Sequence, residues 1–118
     1  MRVECTVVGY EDNYIDVADR WTRSEYRALT AIGNIDDYLV WFHNKVTGCK
    51  LSVADGQVTD PQAVTVAVLD EMDLVLTGFV EQALFRACTN LRNLGNASGR
   101  VSFGTYGTAT LARNSTTP

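Results

Sequence analysis

The side chains able to do chemistry are few and scattered along this 118-residue chain. There is one histidine, His43, and there are three cysteines, Cys5, Cys49 and Cys88. A zinc site needs Cys or His at close spacing, and no such cluster is present. An odd number of widely separated cysteines in apolar patterns predicts buried thiols rather than a disulfide framework. Asp55 and Asp60 supply too few oxygens for a calcium loop and lack its closing Glu. Gly104-Thr105-Tyr106-Gly107 lacks the lysine and the following helix of a phosphate loop. No Ser/His/Asp arrangement stands out. A nucleophile–base pair remains only if the fold joins distant residues, for instance around His43 and Cys49. The sequence therefore predicts no catalytic residue, no cofactor and no metal. It points to a protein that works by binding others.

Charge narrows the partners. Residues 1–94 carry 8 Lys/Arg against 14 Asp/Glu, a net −6, and residues 95–118 carry only Arg100 and Arg113. An acidic body repels a phosphate backbone, so nucleic acid is not an expected partner. No apolar run is long enough to cross a bilayer, and Glu4 interrupts the apolar core that a signal peptide needs. The expected location is the cytosol of the producing cell. The length suits one domain. We place it at 1–94, followed by a tail over 95–118 in which 14 of 24 residues are Gly, Ser, Thr or Asn. Such a tail buries too little apolar surface to offset the entropy of ordering it. Val101, Phe103 and Tyr106 are its apolar exceptions, suited to adding a strand to a neighbour.

The elements that must position any site follow from periodicity. Val3, Cys5 and Val7 alternate with polar residues over 2–8, and Ile15 and Val17 alternate over 14–18, which predicts a β-hairpin. Thr22-Arg23-Ser24-Glu25 fits a capping box, with Trp21 and Tyr26 placed as a hydrophobic staple, so a helix is predicted over 23–31. Gly33 stops it and Asn34 caps a second helix over 35–47, with Ile35, Leu39, Phe42 and Val46 at helical spacing and Gly48 as its stop. Cys49, Leu51 and Val53 alternate, Asp55-Gly56 suits a tight turn, and Val58 begins the return strand. Asp60-Pro61 opens short helical turns over 62–73. The longest helix is predicted over 74–94, with Leu76, Val80, Ala83, Leu84, Ala87, Cys88, Leu91 and Leu94 on one apolar face and Gly95 as its stop. The expected fold is α+β, a small antiparallel sheet from the N-terminal hairpin and 49–58 covered by three main helices.

Val75, Gly78 and Phe85 fall away from the centre of that face and form a second, weaker stripe. A glycine inside a helix costs about 1 kcal/mol relative to alanine and often marks close packing. The stripe is either covered within the monomer or is a contact with a partner. Together with Trp41 these residues are the candidate partner-binding set.

The order of parts also resembles a known family. The hairpin leads into Trp21-Thr22-Arg23-Ser24-Glu25, then an aromatic-rich helix from Tyr38 to Phe42. Thr59-Asp60-Pro61-Gln62-Ala63-Val64-Thr65 and Leu69-Asp70-Glu71-Met72-Asp73-Leu74 follow, and a long helix ends in Leu91-Arg92-Asn93-Leu94-Gly95-Asn96. This layout, over residues 1–96, resembles the small tail assembly chaperones of long-tailed bacteriophages. The resemblance implies a non-enzymatic helper in the host cytoplasm. It implies binding to the tape measure protein, help in recruiting the tail tube protein, and self-association as a homo-oligomer. The alternatives are a structural virion protein at the head–tail connector or tail tube, and, ranked below it, a small enzyme with a fold-assembled site.

Overall fold

The structure, a computed structural model, describes residues 1–98. Four strands and four helices follow in pairs, two strands, two helices, two strands and two helices, with a 3-10 turn at Pro61–Ala63. The strands are β1 (Arg2–Glu4), β2 (Tyr14–Val17), β3 (Val46–Val53) and β4 (Gly56–Val58). They form one antiparallel sheet in the order β1-β2-β3-β4. The helices are α1 (Arg23–Thr30), α2 (Ile35–Lys45), α3 (Val66–Asp70) and α4 (Leu74–Ser98). The expected α+β architecture is thus observed. The chain divides into one unit, Met1–Cys88, and a second, Thr89–Pro118, whose described part is the last turns of α4.

The alternation of β1, β2 and β3 puts Val3, Ile15, Val17, Cys49 and Leu51 on one buried face. Leu29, Leu39, Phe42, Leu76, Val80, Ala83, Leu84 and Ala87 bring the helices onto the same core. Cys5, Cys49 and Cys88 are buried thiols, as expected from their apolar settings. The cap chemistry reads as the sequence predicts. Thr22 Oγ1 accepts from the Glu25 amide at 3.1 Å, and Glu25 Oε1 accepts from the Thr22 amide at 2.8 Å. Asn34, Asp60 and Thr65 cap the next three helical elements, each side chain accepting from the backbone amide two or three residues on.

Lys45 closes the α1–α2 pair. Its ammonium donates to Arg20 O at 3.1 Å, pairs with Glu25 at 3.1 Å and lies 4.6 Å from the centre of the Trp21 ring. Trp21 stacks on Trp41 with centroids 5.8 Å apart and donates Nε1–H to Ala18 O. The Trp21 ring therefore serves the packing of α1 on α2. The Thr22 amide, then Lys45, hold the Glu25 carboxyl below the usual glutamate range. A lowered carboxyl pKa contributes stability above its unfolded value, lost as pH falls through the folded one. NMR titration of Glu25 is expected to show this depression, and Lys45→Met is expected to reduce it. A Glu25 that titrates identically in that variant would remove the ion pair from the explanation.

Several boundaries differ from expectation, each for a physical reason. The second helix ends at Lys45 rather than at 47, and β3 starts at Val46 with no intervening loop. Val46 is buried as a strand residue opposite Val17, not on a helical stripe. Gly48 does not stop the helix. It lies within β3 opposite Asp16, where a Cβ would sit 3.4 Å from Asp16 Oδ2. The register skips Thr47 between the Asp16–Gly48 and Val17–Val46 pairs, a β-bulge that lets the strand leave the helix directly. The tight turn is Ala54-Asp55, and Gly56 opens β4 with φ +145°, a region that favours glycine. The predicted strand over 2–8 is shorter, with Val8 solvent-exposed beyond it. Finally, α4 continues through Gly95 to Ser98, because one glycine weakens a helix without ending it. Leu94 is 63 % exposed and so is not part of the buried face. The expectations for the tail beyond Ser98, including Val101, Phe103 and Tyr106, lie outside the described residues.

Candidate functional site

The open side of α4 carries the candidate surface. Asp73 starts the helix, its Oδ1 accepting from the Val75 amide at 2.8 Å. Leu76, Val80, Ala83, Leu84 and Ala87 turn inward and are fully buried. The opposite side leaves Leu74 85 % and Val75 60 % exposed. Gly78 is exposed, and a Cβ added there would meet nothing within 4 Å. The close packing that its presence suggested does not occur within the monomer. The surface instead has a flat spot one turn beyond Leu74.

Phe85 is placed differently. It is half-buried and stacks on Tyr38 with centroids 5.9 Å apart and planes 12° apart. Trp41 is half-buried against Trp21 and lines a shallow groove between α1 and α2. The four candidates therefore do not converge. Val75 and Gly78 share the open side of α4, Phe85 reaches back to the core, and Trp41 belongs to the α1–α2 pair.

Beside the open side of α4 lies a groove of about 370 Å³. Ile35, Val66, Leu69, Met72 and Leu74 give it an apolar lining, and Asp70 and Glu81 add carboxylates. Leu74, Gly78, Glu81 and Phe85 follow one another along a single line of the helix, at i, i+4, i+7 and i+11. Leu74 lies one turn before Gly78 on the line that Gly78 and Phe85 define. Ile35 and the α3 residues carry no such local signal, because only the fold brings them to α4.

Tyr38 is the most deeply engaged polar side chain near this surface. Its hydroxyl donates to Val80 O at 2.6 Å and accepts from the Leu84 amide at 3.3 Å. Those two backbone groups are four residues apart in α4, the pair that a regular helix joins directly. The hydroxyl thus bridges a rung of the helix. Burial pushes the phenol pKa well above its ordinary value.

His43 and Cys49 have structural partners. The His43 ring donates Nε2–H to Val64 O at 2.7 Å, which assigns the proton to that nitrogen. Cys49 donates to Val58 O at 3.8 Å, and burial, then Asp60 and Asp16, push its thiol up to about 11. A thiol raised so far is protonated at neutral pH and a poor nucleophile. Among the described residues no three His, Cys, Asp or Glu side chains gather as metal ligands, and no helix is long and apolar enough to cross a membrane. Compared with known proteins, the chain matches no family model, no curated relative and no solved structure.

Proposed function

We propose that this chain is a binding protein that captures an apolar helical segment of another protein, in the manner of a phage tail assembly chaperone acting on the tape measure protein. The observation that carries the reading is the solvent-facing apolar strip of Leu74 and Val75 beside open Gly78, next to a groove of mixed apolar and acidic lining. An amphipathic helix laid along such a strip buries its own apolar face while the acidic body keeps the complex soluble. The flat spot at Gly78 lets a partner backbone approach α4 closely. Recruitment of the tail tube protein and residence in the host cytoplasm belong to the same reading.

Co-expression with a tape measure segment, followed by size-exclusion chromatography with light scattering, tests it. A soluble complex is expected. Val75→Asp is expected to weaken capture about tenfold or more, since loss of a buried valine contact of about 1.5 kcal/mol corresponds to that factor. The same variant should keep its melting temperature, because Val75 is exposed in the monomer. Phe85→Asp is a folding control rather than a binding probe, since Phe85 stacks on Tyr38. A chain that stays alone beside the tape measure segment would overturn the proposal.

A further inference from the structure

From Leu51 to Phe85 the chain carries six acidic residues and no lysine, arginine or histidine. That stretch supplies every residue lining the groove beside α4 except Ile35, and Asp36 and Asp37 follow Ile35 directly. The cations on either side of the stretch are engaged elsewhere. Lys50 pairs with Asp12 at 3.4 Å. Arg86 donates to Glu4 O at 3.4 Å and lies over the Phe79 ring, 5.8 Å from its centre. Lys45, at the end of α2, is held by Glu25 and Arg20 O. Asp70 and Glu81 line the groove, are exposed, and take part in no salt bridge among the described residues.

The hydrogen-bonding groups of the groove are as one-sided as its charge. Leu69 and Met72 are its buried apolar floor. Thr77, also buried, donates its hydroxyl to Leu74 O at 2.7 Å, so that side chain has only acceptor capacity left. Asp70 and Glu81 are acceptors alone when ionised. Asp70 ends α3, and Glu81 lies two turns beyond Leu74 in α4, so carboxylates bound the groove from two helices. A side chain that suits this lining has an apolar stem and a head that only donates. Lysine and arginine have both.

We infer that the helix captured at this surface is one whose apolar stripe is flanked by Lys or Arg, and that Asp70 and Glu81 select it over neutral or acidic helices with the same apolar face. The inference rests on the capture reading above and names the class of helix taken. The stem of the basic residue lies along Leu69 and Met72 while its head meets a carboxylate at the rim. An acidic helix would set its own carboxylates against Asp70 and Glu81 with no cation to relieve them, so rejection contributes to the selection as well as attraction. These charges act in contact with water, so each pair supplies about fivefold at most.

Three synthetic helices test this. They carry the apolar face of the tape measure segment and differ only at the positions flanking it, set to Lys, Gln or Glu. Fluorescence anisotropy with the full chain at low salt measures each affinity. The Lys helix is expected to bind about tenfold tighter than the Glu helix, with Gln between them, and the ratio is expected to shrink as salt screens the pairs. Asp70→Asn with Glu81→Gln is expected to bring the ratio below about threefold. Asp19→Asn with Asp55→Asn removes the same net charge at exposed positions outside the groove, and is expected to keep the wild-type ratio. If the three helices bind alike, or the groove variant keeps the full ratio, capture stands and the acidic selection falls. A control that loses the ratio as fully as the groove variant also overturns the selection, since net charge alone would then explain it. If none of the three helices binds, the capture reading itself falls and this inference with it.

Discussion

Replacing Tyr38 with phenylalanine should destabilise the protein by about 2 kcal/mol, and Tyr38→Ala by about 4 kcal/mol. The hydroxyl is buried and serves two backbone groups of α4 at once, Val80 O and the Leu84 amide. Phenylalanine keeps the stacking on Phe85 and the tilted contact with Phe42, so the first figure isolates the hydroxyl. Removing the hydroxyl takes one buried partner from each of these backbone groups, at about 1–3 kcal/mol. Alanine adds the loss of the ring and the cavity it leaves. Chemical denaturation measures both, and amide exchange at Leu84 reports the bridge directly. Exchange there should quicken in the phenylalanine variant beyond the global effect. If stability and Leu84 exchange are unchanged, α4 closes its own rung and the bridge is dispensable.

The same residue sets an alkaline limit. Burial raises the phenol pKa in the folded state, so the stability of the neutral form is intact below the unfolded value, about 10, and is lost as pH rises above it. The phenylalanine variant should lose this part of the alkaline slope.

Asn13→Ala is the second large effect, at about 2–3 kcal/mol. Asn13 is 1 % exposed and lies just before β2. Its Oδ1 accepts from the Ser52 amide at 2.8 Å and the Ser52 hydroxyl at 3.1 Å, while Nδ2 donates to Tyr10 O at 3.0 Å. One amide therefore satisfies both the loop between β1 and β2 and a residue of β3. Alanine takes the acceptor from the Ser52 amide and hydroxyl, while Tyr10 O keeps the backbone amide of residue 13 as its donor at 3.0 Å. Asn13→Asp keeps the acceptor for Ser52 but presents a carboxylate to the Tyr10 carbonyl, which disfavours the charged form. Its carboxyl pKa is then raised on folding, so this variant should regain stability as pH falls and the carboxyl can donate again. An alanine variant within about 0.5 kcal/mol of wild type, the range of ordinary surface changes, would show that water replaces the amide.

These two residues also mark where sequence reasoning stops. The capping box at Thr22 and Glu25, and the caps at Asn34 and Asp60, were legible because donor and acceptor lie within three residues of each other. The inward alternation of Val3, Ile15, Val17 and Leu51 was legible because a sheet face repeats every second residue. By sequence alone Tyr38 is one aromatic residue of a helix, and Asn13 is one polar residue between two strands. Their partners lie 42, 46 and 39 positions away, and nothing local announces them. Gly48 misled for a related reason. A glycine after a helix resembles a stop, but here Asp16 on the neighbouring strand decides its place. The candidate surface was half legible. Val75 and Gly78 follow from helical spacing, while Leu74 enters only through the Leu69–Leu74 stretch of the family resemblance.

The direct passage from Lys45 in α2 to Val46 in β3 has a consequence for how this chain can change over time. With no loop between them, an inserted or deleted residue at that junction has nowhere to be absorbed. It either turns the last helical turn, with Lys45, away from Glu25 and Trp21, or shifts β3 by one position. A one-residue shift would send Cys49 and Leu51 to the opposite face of the sheet. Length variation should therefore be purged at 45–46 and tolerated at the exposed Ala54-Asp55 turn, so variants of this fold ought to differ in length at the hairpin tip and never at the helix-to-strand junction.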